Sequence, residues 1–291
     1  MDNLAIVVVN YNDSESVLQF IENTRLFSDN VPIIVVDNNS TDGSVDVLKA
    51  VNYNAIELVE LKENKGYSYG NNMGIKFVKE KYPKIEYVAI SNPDIILNEK
   101  SLSLILQGFI DNPDYSGLTG RMYNPDNKPD PFPYLTLPTF KRALLFALAI
   151  TRKFLLKSKT IVIDEKVKIK QVEALPGCFF VFRIKDFWEI GLFDENVFLY
   201  YEENILGIKC RQNGLKLGII PNAHYIHNHS VSINKSFVSY QKVKIYNKSV
   251  CYYFSKYTDI NKLELTLLKA VLTVGAIESQ LIYIIRRCFG L

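Results

Sequence analysis

The chain has 291 residues, of which 48% are hydrophobic and 22% charged, a composition typical of a folded globular protein with a substantial core. Its four cysteines lie far apart and form no CxxC pair, so the sequence favours neither a zinc site nor a disulfide scaffold and predicts a reducing compartment. The chain opens on a strand-like run without a basic leader, and we therefore expect no signal peptide.

The net charge of +3 conceals two basic segments. Residues 1–140 hold 11 basic and 19 acidic side chains, whereas 141–170 hold 9 and 2, and 235–291 hold 9 and 3. Because both basic segments also contain apolar runs, they favour an anionic membrane surface over nucleic acid as a partner. The alternative is a solvated lysine face on core helices. Residues 265–285 approach the length of a membrane span, but the polar residues within them predict a peripheral helix. These residues are Lys269, Glu278 and Gln280.

Strand-like runs alternate with helix-length segments in the first third of the chain, which predicts parallel strands joined by helical crossovers. Ligands bind beyond the carboxyl ends of such strands, so polar residues at these ends mark a candidate site. We expect strands over 5–9, 32–37, 56–61 and 87–91, and helices over 14–27, 42–51 and 67–82.

The second half of the chain begins with a proline-rich stretch between Asn124 and Pro138, followed by the first basic segment. This pattern predicts a mobile loop or lid. Further on, Gly214 is a plausible helix end. We expect an apolar run over 178–182, helices near 185–190 and 203–213, a strand over 217–221, and helices over 239–256 and 262–287.

Two polar segments follow predicted strands and could bind a ligand. Asp37 could accept hydrogen bonds from a ligand while Ser40 or Thr41 caps the next helix, although a turn-and-cap motif alone would look the same. The Gly-rich segment 64–74 would let a ligand approach the backbone at a helix start, with a plain turn as the alternative. No GxGxxG fingerprint is present.

Three further groups could carry chemistry. Asp94 follows an apolar strand and is a hard oxygen ligand for Mg²⁺ or Mn²⁺ on phosphates, although an isolated Asp often forms a turn. Glu202 and Glu203 are adjacent carboxylates, of which one could be structural and one a base. All three histidines fall within six residues, which suggests a metal or phosphate role, with a structural role as the alternative. They are His224, His227 and His229.

Together these residues resemble the inverting glycosyltransferases of family 2, and most of all the bacterial rhamnosyltransferase type. The matching stretches are 8–12, 36–44, 64–74, 91–94, 177–214 and 221–229. The resemblance implies a GT-A fold, with a mixed, mainly parallel sheet flanked by helices. It implies a glycosyltransferase domain over 1–234, with a nucleotide-binding part at about 1–125 and an acceptor part at about 171–234. A helical, basic C-terminal extension would occupy 235–291.

The resemblance also implies residue roles. Asp37 would contact the nucleotide base, and Asp94 would end a DxD-type metal motif that reads Asn92-Pro93-Asp94 here. His227 would complete the metal or diphosphate site, with Mn²⁺ or Mg²⁺ as the cofactor. The implied nucleotide-binding residues are Asn10, Tyr11, Asn12, Asp37, Asn38, Asn64, Gly66, Asn72 and Asn92.

The catalytic segment departs from the family pattern. Relatives commonly read Glu-Asp-x-Asp-Leu where this chain reads Glu202-Glu203-Asn204-Ile205-Leu206. Glu203 would replace the usual Asp as the base, with Glu202 beside it, and Ile205 replaces the next acidic residue. A non-catalytic nucleotide-sugar binding module is therefore one alternative. Another nucleotide-sugar enzyme is a second, although residues 9–14 contain no Gly-rich, basic triphosphate loop.

The implied reaction is an inverting single displacement in bacterial surface-glycan synthesis. The favoured donor is dTDP-rhamnose, with UDP-hexoses close behind. The acceptor would be a lipid-linked oligosaccharide or polysaccharide. The enzyme would be cytoplasmic and peripheral at the inner face of the cytoplasmic membrane.

Overall fold

The computed structural model describes residues 1, 3–25, 31–51, 53, 55–130, 136–148, 151, 163–164, 166–228 and 239–289. The strands found there are β1 (Leu4–Asn10), β2 (Ile33–Asp37), β3 (Ile56–Glu60), β4 (Tyr87–Ser91), β5 (Ile95–Ile96), β6 (Tyr115–Tyr123), β7 (Lys170–Val172), β8 (Phe179–Arg183) and β9 (Lys216–His227). The helices are α1 (Ser14–Arg25), α2 (Ser44–Lys49), α3 (Tyr67–Lys81), α4 (Glu99–Asp111), α5 (Phe140–Ala147), α6 (Ile184–Glu189), α7 (Glu202–Gln212), α8 (Ser239–Tyr257) and α9 (Lys262–Phe289).

All the described strands belong to one mixed sheet with the order β3-β2-β1-β4-β8-β6-β9-β5, and β7 also pairs with β9. Strands β3, β2, β1 and β4 are mutually parallel. The apolar runs of β1, β2 and β4 are buried on both faces, as central strands of a parallel sheet covered by helices must be. The edge strand β3 is only partly buried. The register pairs Asn10 with Asp37 and Val8 with Ser91, so the three strands end at one edge of the sheet.

Helices cover both faces of the sheet and form two apolar layers. One layer packs α1 and α4 against the sheet through residues such as Phe20, Ile105 and Phe109. The other packs α3 and α6 against it through residues such as Ile75 and Phe187. The result is a three-layer α/β arrangement.

Strand β8 runs antiparallel to both of its neighbours, β4 and β6. Its register pairs Phe179 with Ser91, so the residues that precede β8 lie beside those that follow β4. The Asn92 N–H accordingly donates to the Cys178 carbonyl at 2.8 Å. This pairing brings the second half of the chain to the carboxyl ends of the parallel strands.

The C-terminal helices α8 and α9 pack together with α5 and α7 around a third apolar cluster. Leu268 and Leu272 of α9 are buried in it, together with Tyr253 and Phe254 of α8. Residues 262–284 of α9 are long and apolar enough to cross a membrane by length and composition.

Several predicted elements need correction. Helix α2 begins after Gly43, which has φ +85° and no side-chain cap, so Ser40 and Thr41 do not cap it. Strand β9 continues past Pro221 to His227, because a register shift opposite Gly120 takes the proline out of the ladder. The sequence patterns also missed α4, β6 and β7. Within the expected lid, residues 140–147 form α5, whereas 131–135 and 152–162 lie outside the described residues.

Candidate active site

The ends of β1 and β2 are joined by a buried polar network. Asn10 is 0% exposed and Asp37 is 1% exposed. The Asn10 amide donates to Asp37 Oδ2 at 2.7 Å and to Ser40 Oγ at 3.1 Å. Ser40 donates to Asp37 through its backbone N–H at 2.9 Å and its hydroxyl at 2.6 Å. Asp37 is thus held in one orientation at the strand end.

Asn12 connects the loop after β1 to the loop after β2 through hydrogen bonds. It takes the left-handed conformation at φ 55°, which Asn adopts more readily than most residues. Its N–H donates to Ser40 Oγ at 2.9 Å, and its side-chain oxygen accepts from the Thr41 N–H at 2.7 Å. Tyr11 beside it is partly exposed. The two loops therefore form a single rim over the strand ends.

Asn38 connects this rim to the Gly-rich segment. Its amide donates to Asn64 Oδ1 at 3.0 Å and to the Gly66 carbonyl at 3.1 Å. Gly66 has φ +98°, and a Cβ at this position would lie 2.0 Å from the Phe198 carbonyl oxygen. Only glycine fits here. The absence of a side chain lets the segment that leads to Glu202 pack directly against the Gly-rich segment.

Three buried amide oxygens in this region carry no hydrogen bond from the described residues: Asn10 Oδ1, Asn38 Oδ1 and Asn71 Oδ1. Buried polar atoms without partners are rare in folded proteins and call for an explanation. These atoms are closed off from solvent, so a ligand could reach them only if the surrounding side chains moved. Asn10, Asp37 and Asn38, which were predicted to bind a nucleotide, lie together at the carboxyl ends of β1 and β2.

Asn72 is 2% exposed and uses both ends of its amide elsewhere. It accepts from the Phe193 N–H at 3.0 Å and donates to the Phe193 carbonyl at 3.0 Å and to Glu195 at 2.8 Å. It anchors the segment that precedes Glu202. A nucleotide could bond to Asn72 without breaking one of these hydrogen bonds only through the second lone pair of its amide oxygen.

Asp94 and His227 meet where β5 pairs with the end of β9. The register sets His227 opposite Ile95, next to Asp94. His227 Nε2 lies 3.3 Å from Asp94 Oδ1, and the two side chains are 13% and 8% exposed. The predicted metal residues are thus brought into direct contact.

The protonation of His227 bears on metal binding. Burial opposes the imidazolium form, but hydrogen bonds to Asp94 and Cys178 outweigh it and raise the pKa of His227 to about 10. A divalent cation would displace this proton when it binds. No group of three or more His, Cys, Asp or Glu side chains fit for a metal occurs in the described part of the chain. Asp94 and His227 fit a cation that takes its remaining ligands from a diphosphate.

The other two histidines do not join this pair. The His224 ring lies 4.8 Å from the ring of Tyr123, and its Nε2 is 3.0 Å from the Pro221 carbonyl. Successive strand side chains alternate between faces, which separates His224 from His227. His229 lies outside the described residues.

Tyr67 links Asn92, after β4, to Gly177, before β8, and sequence reasoning missed it. Its hydroxyl lies 2.9 Å from Asn92 Oδ1 and 3.0 Å from the Gly177 carbonyl. Burial, followed by the nearby charge of Glu202, raises the pKa of Tyr67 well above its usual range. The hydroxyl therefore keeps its proton and can donate. The position of this tyrosine within the Gly-rich segment could have marked it as a candidate site residue in the sequence.

Glu202 and Glu203 begin α7 but differ in their surroundings. Glu202 is 8% exposed, and its Oε2 has no hydrogen-bond partner among the described atoms. Glu203 is partly exposed, accepts from Asn204 at 3.0 Å, and has Oε2 3.6 Å from the point where a Cβ on Gly177 would lie. Glu203 therefore lies over the residue to which Tyr67 also bonds.

Both glutamates have raised pKa values. Burial, and then the charge of Glu203, raise the pKa of Glu202 above its usual range, and burial raises that of Glu203. Adjacent carboxylates of this kind cannot both ionise easily. A carboxylate with a raised pKa is suited to take up a proton near neutral pH.

Comparison with known proteins identifies the family and the fold. Residues 5–191 match the model described as Glycosyl transferase family 2. A low-salt glycan biosynthesis hexosyltransferase of Haloferax volcanii is 26% identical over 241 residues, covering 83% of this chain and 72% of that protein. The N-acetylglucosaminyl-diphospho-decaprenol L-rhamnosyltransferase of Mycobacterium tuberculosis is 23% identical over 250 residues, covering 82% and 80%.

Among solved structures, the mannosyltransferase PcManGT from Pyrobaculum calidifontis, in complex with GDP-Man and Mn²⁺, aligns with a TM-score of 0.59. The sequences are 14% identical, and the alignment covers 95% of this chain and 73% of that chain. The predicted GT-A fold, a mixed sheet flanked by helices with helical C-terminal elements, is confirmed.

Proposed function

This chain belongs to glycosyl transferase family 2, and from this premise we propose that it transfers a sugar from a nucleotide-diphosphate donor to a lipid-linked glycan. The observation that carries the proposal is the connection between two groups of residues. The first group is Asp94 and His227, with Asn92 two residues before Asp94. The second is Glu203, which lies over Gly177. The Tyr67 hydroxyl connects them, because it lies within hydrogen-bond distance of both Asn92 and the Gly177 carbonyl. Residues suited to a diphosphate and a raised-pKa carboxylate thus meet at one sheet edge.

We propose dTDP-rhamnose as the donor, with UDP-hexoses as the second choice. One relative is a rhamnosyltransferase and another is a hexosyltransferase, which supports both classes. The nucleotide would lie over the ends of β1 and β2, beside the partly exposed Tyr11 and Asn12. Asp37 would hold Asn10 and Ser40 in place beneath the base. Tyr11, Asn12, Asn64, Gly66, Asn72 and Asn92 complete the proposed donor side.

We propose that donor binding depends on Mn²⁺ or Mg²⁺. Asp94 and His227 would hold the ion, and the diphosphate oxygens would supply further ligands. The cation would neutralise negative charge on the departing nucleotide diphosphate. The neighbour that binds GDP-Man was solved with Mn²⁺, which supports a metal in this fold.

Glu203 is the proposed base, in an inverting single displacement. The acceptor hydroxyl oxygen bonds to the anomeric carbon while the bond from that carbon to the diphosphate oxygen breaks. The hydroxyl proton passes to Glu203. We assign the base to Glu203 because it is partly exposed and lies over Gly177, whereas Glu202 is buried. Burial raises the pKa of Glu203, whose charge in turn contributes to the raised pKa of Glu202.

The proposed acceptor is a lipid-linked oligosaccharide or polysaccharide of bacterial surface-glycan synthesis, met at the inner face of the cytoplasmic membrane. The Mycobacterium relative is named for a diphospho-decaprenol acceptor, which supports a lipid-linked substrate. Helix α9 supports membrane contact because its outward face is an apolar stripe. The stripe consists of Leu263, Leu267, Val274, Ile277, Leu281 and Ile284, all exposed.

The opposite face of α9 argues for attachment along the membrane surface, without a span. Leu268 and Leu272 are buried against the protein, and a Cβ on Gly275 would lie 1.9 Å from the Ala147 carbonyl oxygen of α5. Helix α9 could cross a bilayer only by leaving α5 and α8. Basic residues on these helices would attract anionic lipid. They include Lys141, Arg142, Lys242, Lys244, Lys248 and Lys269.

The proposal is tested in two stages. A thermal-shift panel of dTDP-rhamnose and UDP-hexoses with Mn²⁺ identifies the donor, because a ligand that binds only the folded state raises its stability. Release of nucleotide diphosphate from that donor is then measured with and without a synthetic N-acetylglucosaminyl-diphospho-lipid. Stabilisation without any release would indicate a non-catalytic binding module. Absence of any stabilisation would contradict the proposed function.

A further inference from the structure

We propose that helix α8 is a positioning element of the active site, which holds the segment 193–201 so that Glu203 faces the reacting atoms. The inference rests on the proposed function, because it takes Glu203 as the base. The family model ends at residue 191, so it describes neither this segment nor α8.

From the donor side, segment 193–201 is fixed by main-chain and amide hydrogen bonds. Asn72 bonds both the N–H and the carbonyl of Phe193. The Phe198 carbonyl accepts from the Tyr67 N–H at 2.9 Å and lies in close contact with Gly66. These contacts tie the segment to the predicted nucleotide loop.

From the other side, Asp194 is the main attachment point for α8. Its Oδ2 accepts from the Tyr252 hydroxyl at 2.8 Å and the Tyr257 hydroxyl at 2.5 Å. Its Oδ1 accepts from the N–H of Asn196 at 2.9 Å and the Asn196 amide at 2.7 Å. Burial opposes the charge on Asp194, but these hydrogen bonds outweigh it and lower the pKa of Asp194. Hydrogen bonds to an ionised carboxylate are among the stronger ones in proteins.

A second attachment lies closer to the carboxylates. Ser249 of α8 is 3% exposed, and its hydroxyl donates to the Leu199 carbonyl at 2.8 Å. Ile205 of α7 is 1% exposed and belongs to the cluster formed with α8. The packing of Ile205 explains an apolar residue at this position, where the family resemblance led us to expect an acidic one.

The residues directly before Glu202 carry backbone strain. Tyr200 and Tyr201 have φ values of 69° and 70°, which are unusual for bulky side chains and persist only where the surroundings enforce them. The Tyr246 ring lies 5.9 Å from that of Tyr200 and 5.7 Å from that of Tyr201, and the Tyr253 ring lies 5.3 Å from that of Tyr201. Rings from α8 therefore supply the surroundings that hold this strained turn.

The consequence is a division of roles within the site. Loosening α8 should displace the base while leaving the loops after β1 and β2 in place, because those loops are held by Asn10, Asn12, Asp37 and Asn38. A displacement of about 1 Å at a reacting group can lower the rate on the order of a hundredfold. Donor affinity should be unchanged.

The test variant carries Tyr252→Phe and Tyr257→Phe, which keeps both rings and removes both hydroxyls from Asp194. The matched control is Tyr82→Phe, which removes a hydroxyl that donates to Glu57 at 2.8 Å at the edge strand β3. The assay measures kcat and the donor KM for nucleotide diphosphate release. Calorimetry with the donor's nucleoside diphosphate and Mn²⁺ gives Kd and the fraction of protein able to bind.

We expect kcat of the double variant to fall roughly tenfold to a hundredfold, with donor KM, Kd and binding stoichiometry unchanged. The Tyr82→Phe variant should keep the wild-type kcat. An unchanged kcat in the double variant would overturn the positioning role. So would a fall in kcat that is matched by an equal fall in the fraction of protein able to bind the nucleotide, because the variant would then be partly unfolded. Glu203→Gln is run beside them. If it turns over normally, Glu203 is not the base and the premise of this inference fails; if it is impaired and the double variant is not, only the positioning inference fails.

Discussion

Replacing Glu203 by Gln removes the proposed proton acceptor and changes little else. The side chain keeps its length and its place over Gly177. The Asn204 amide can still donate to the remaining side-chain oxygen, as it does at 3.0 Å to Glu203. The glutamine amide is neutral and close to the carboxylate in size, so it adds neither charge nor bulk to the site. We therefore expect the folded state to be retained.

The size of the effect follows from the role assigned to Glu203. A correctly placed general base contributes roughly 10²–10⁴-fold to rate, which corresponds to about 3–5 kcal/mol of activation free energy. Turnover should fall by that factor, while donor affinity changes little because Glu203 is assigned no contact with the nucleotide. The variant should also lower the raised pKa of Glu202, since the charge of Glu203 contributes to it.

The assay is nucleotide diphosphate release at saturating donor, measured across pH for both Glu203→Gln and Glu202→Gln. In the wild type, kcat should rise as pH passes the raised pKa of the carboxylate pair, because the base acts in its ionised form. Glu203→Gln should lose this rise, whereas Glu202→Gln should disturb acceptor binding or local structure, and Glu203→Asp should retain activity. Normal turnover by Glu203→Gln with an inactive Glu202→Gln would move the base to Glu202. If both variants turn over normally, neither glutamate is the base.

Further predictions concern the metal site and the membrane. Asp94→Ala should abolish turnover with the fold intact, and full activity in this variant or in excess chelator would remove the metal hypothesis. Without metal, the protonated His227 contributes stability below its unfolded pKa of 6.5, and this is lost as pH rises towards about 10. Denaturant unfolding with chelator should show that decline in the wild type and a smaller one in His227→Gln; identical pH profiles would contradict it. Membrane-bound protein should be released by washing at about 1 M salt, where the Debye length is about 3 Å. If only detergent extracts it, α9 spans the bilayer.

The parallel part of the fold was predictable because its signals are local. The strands β1 to β4 are short, β-branched runs, and the observed α1, α2 and α3 lie where the alternation predicted helices. Their order along the chain fixes the sheet edge where polar residues collect. For this reason Asn10, Asp37 and Asp94 could be selected as candidates without a structure.

The elements that were missed depend on distant pairing or on weak local signals. Strand β6 contains Gly117 and Gly120, which lower its strand propensity, yet it lies between β8 and β9. Helix α4 was missed although Asn98 caps it by accepting from the Ser101 N–H at 2.9 Å. A polar cap before an apolar periodic run was the available signal.

The connection between the two halves of the site could not be inferred from motif spacing. The bond from Tyr67 to Gly177 spans 110 residues and depends on the antiparallel pairing of β4 with β8. The contacts of Asp194 with α8 span about 60 residues. No periodicity within a single segment encodes such contacts, because they depend on how separate elements pack.

The most direct test of the proposed chemistry is the anomeric configuration of the product, measured by NMR after transfer from the identified donor to the lipid-linked acceptor. A single displacement assisted by Glu203 predicts that the configuration at the anomeric carbon is opposite to that in the donor. A retained configuration would contradict the single displacement and the role of Glu203 as its base.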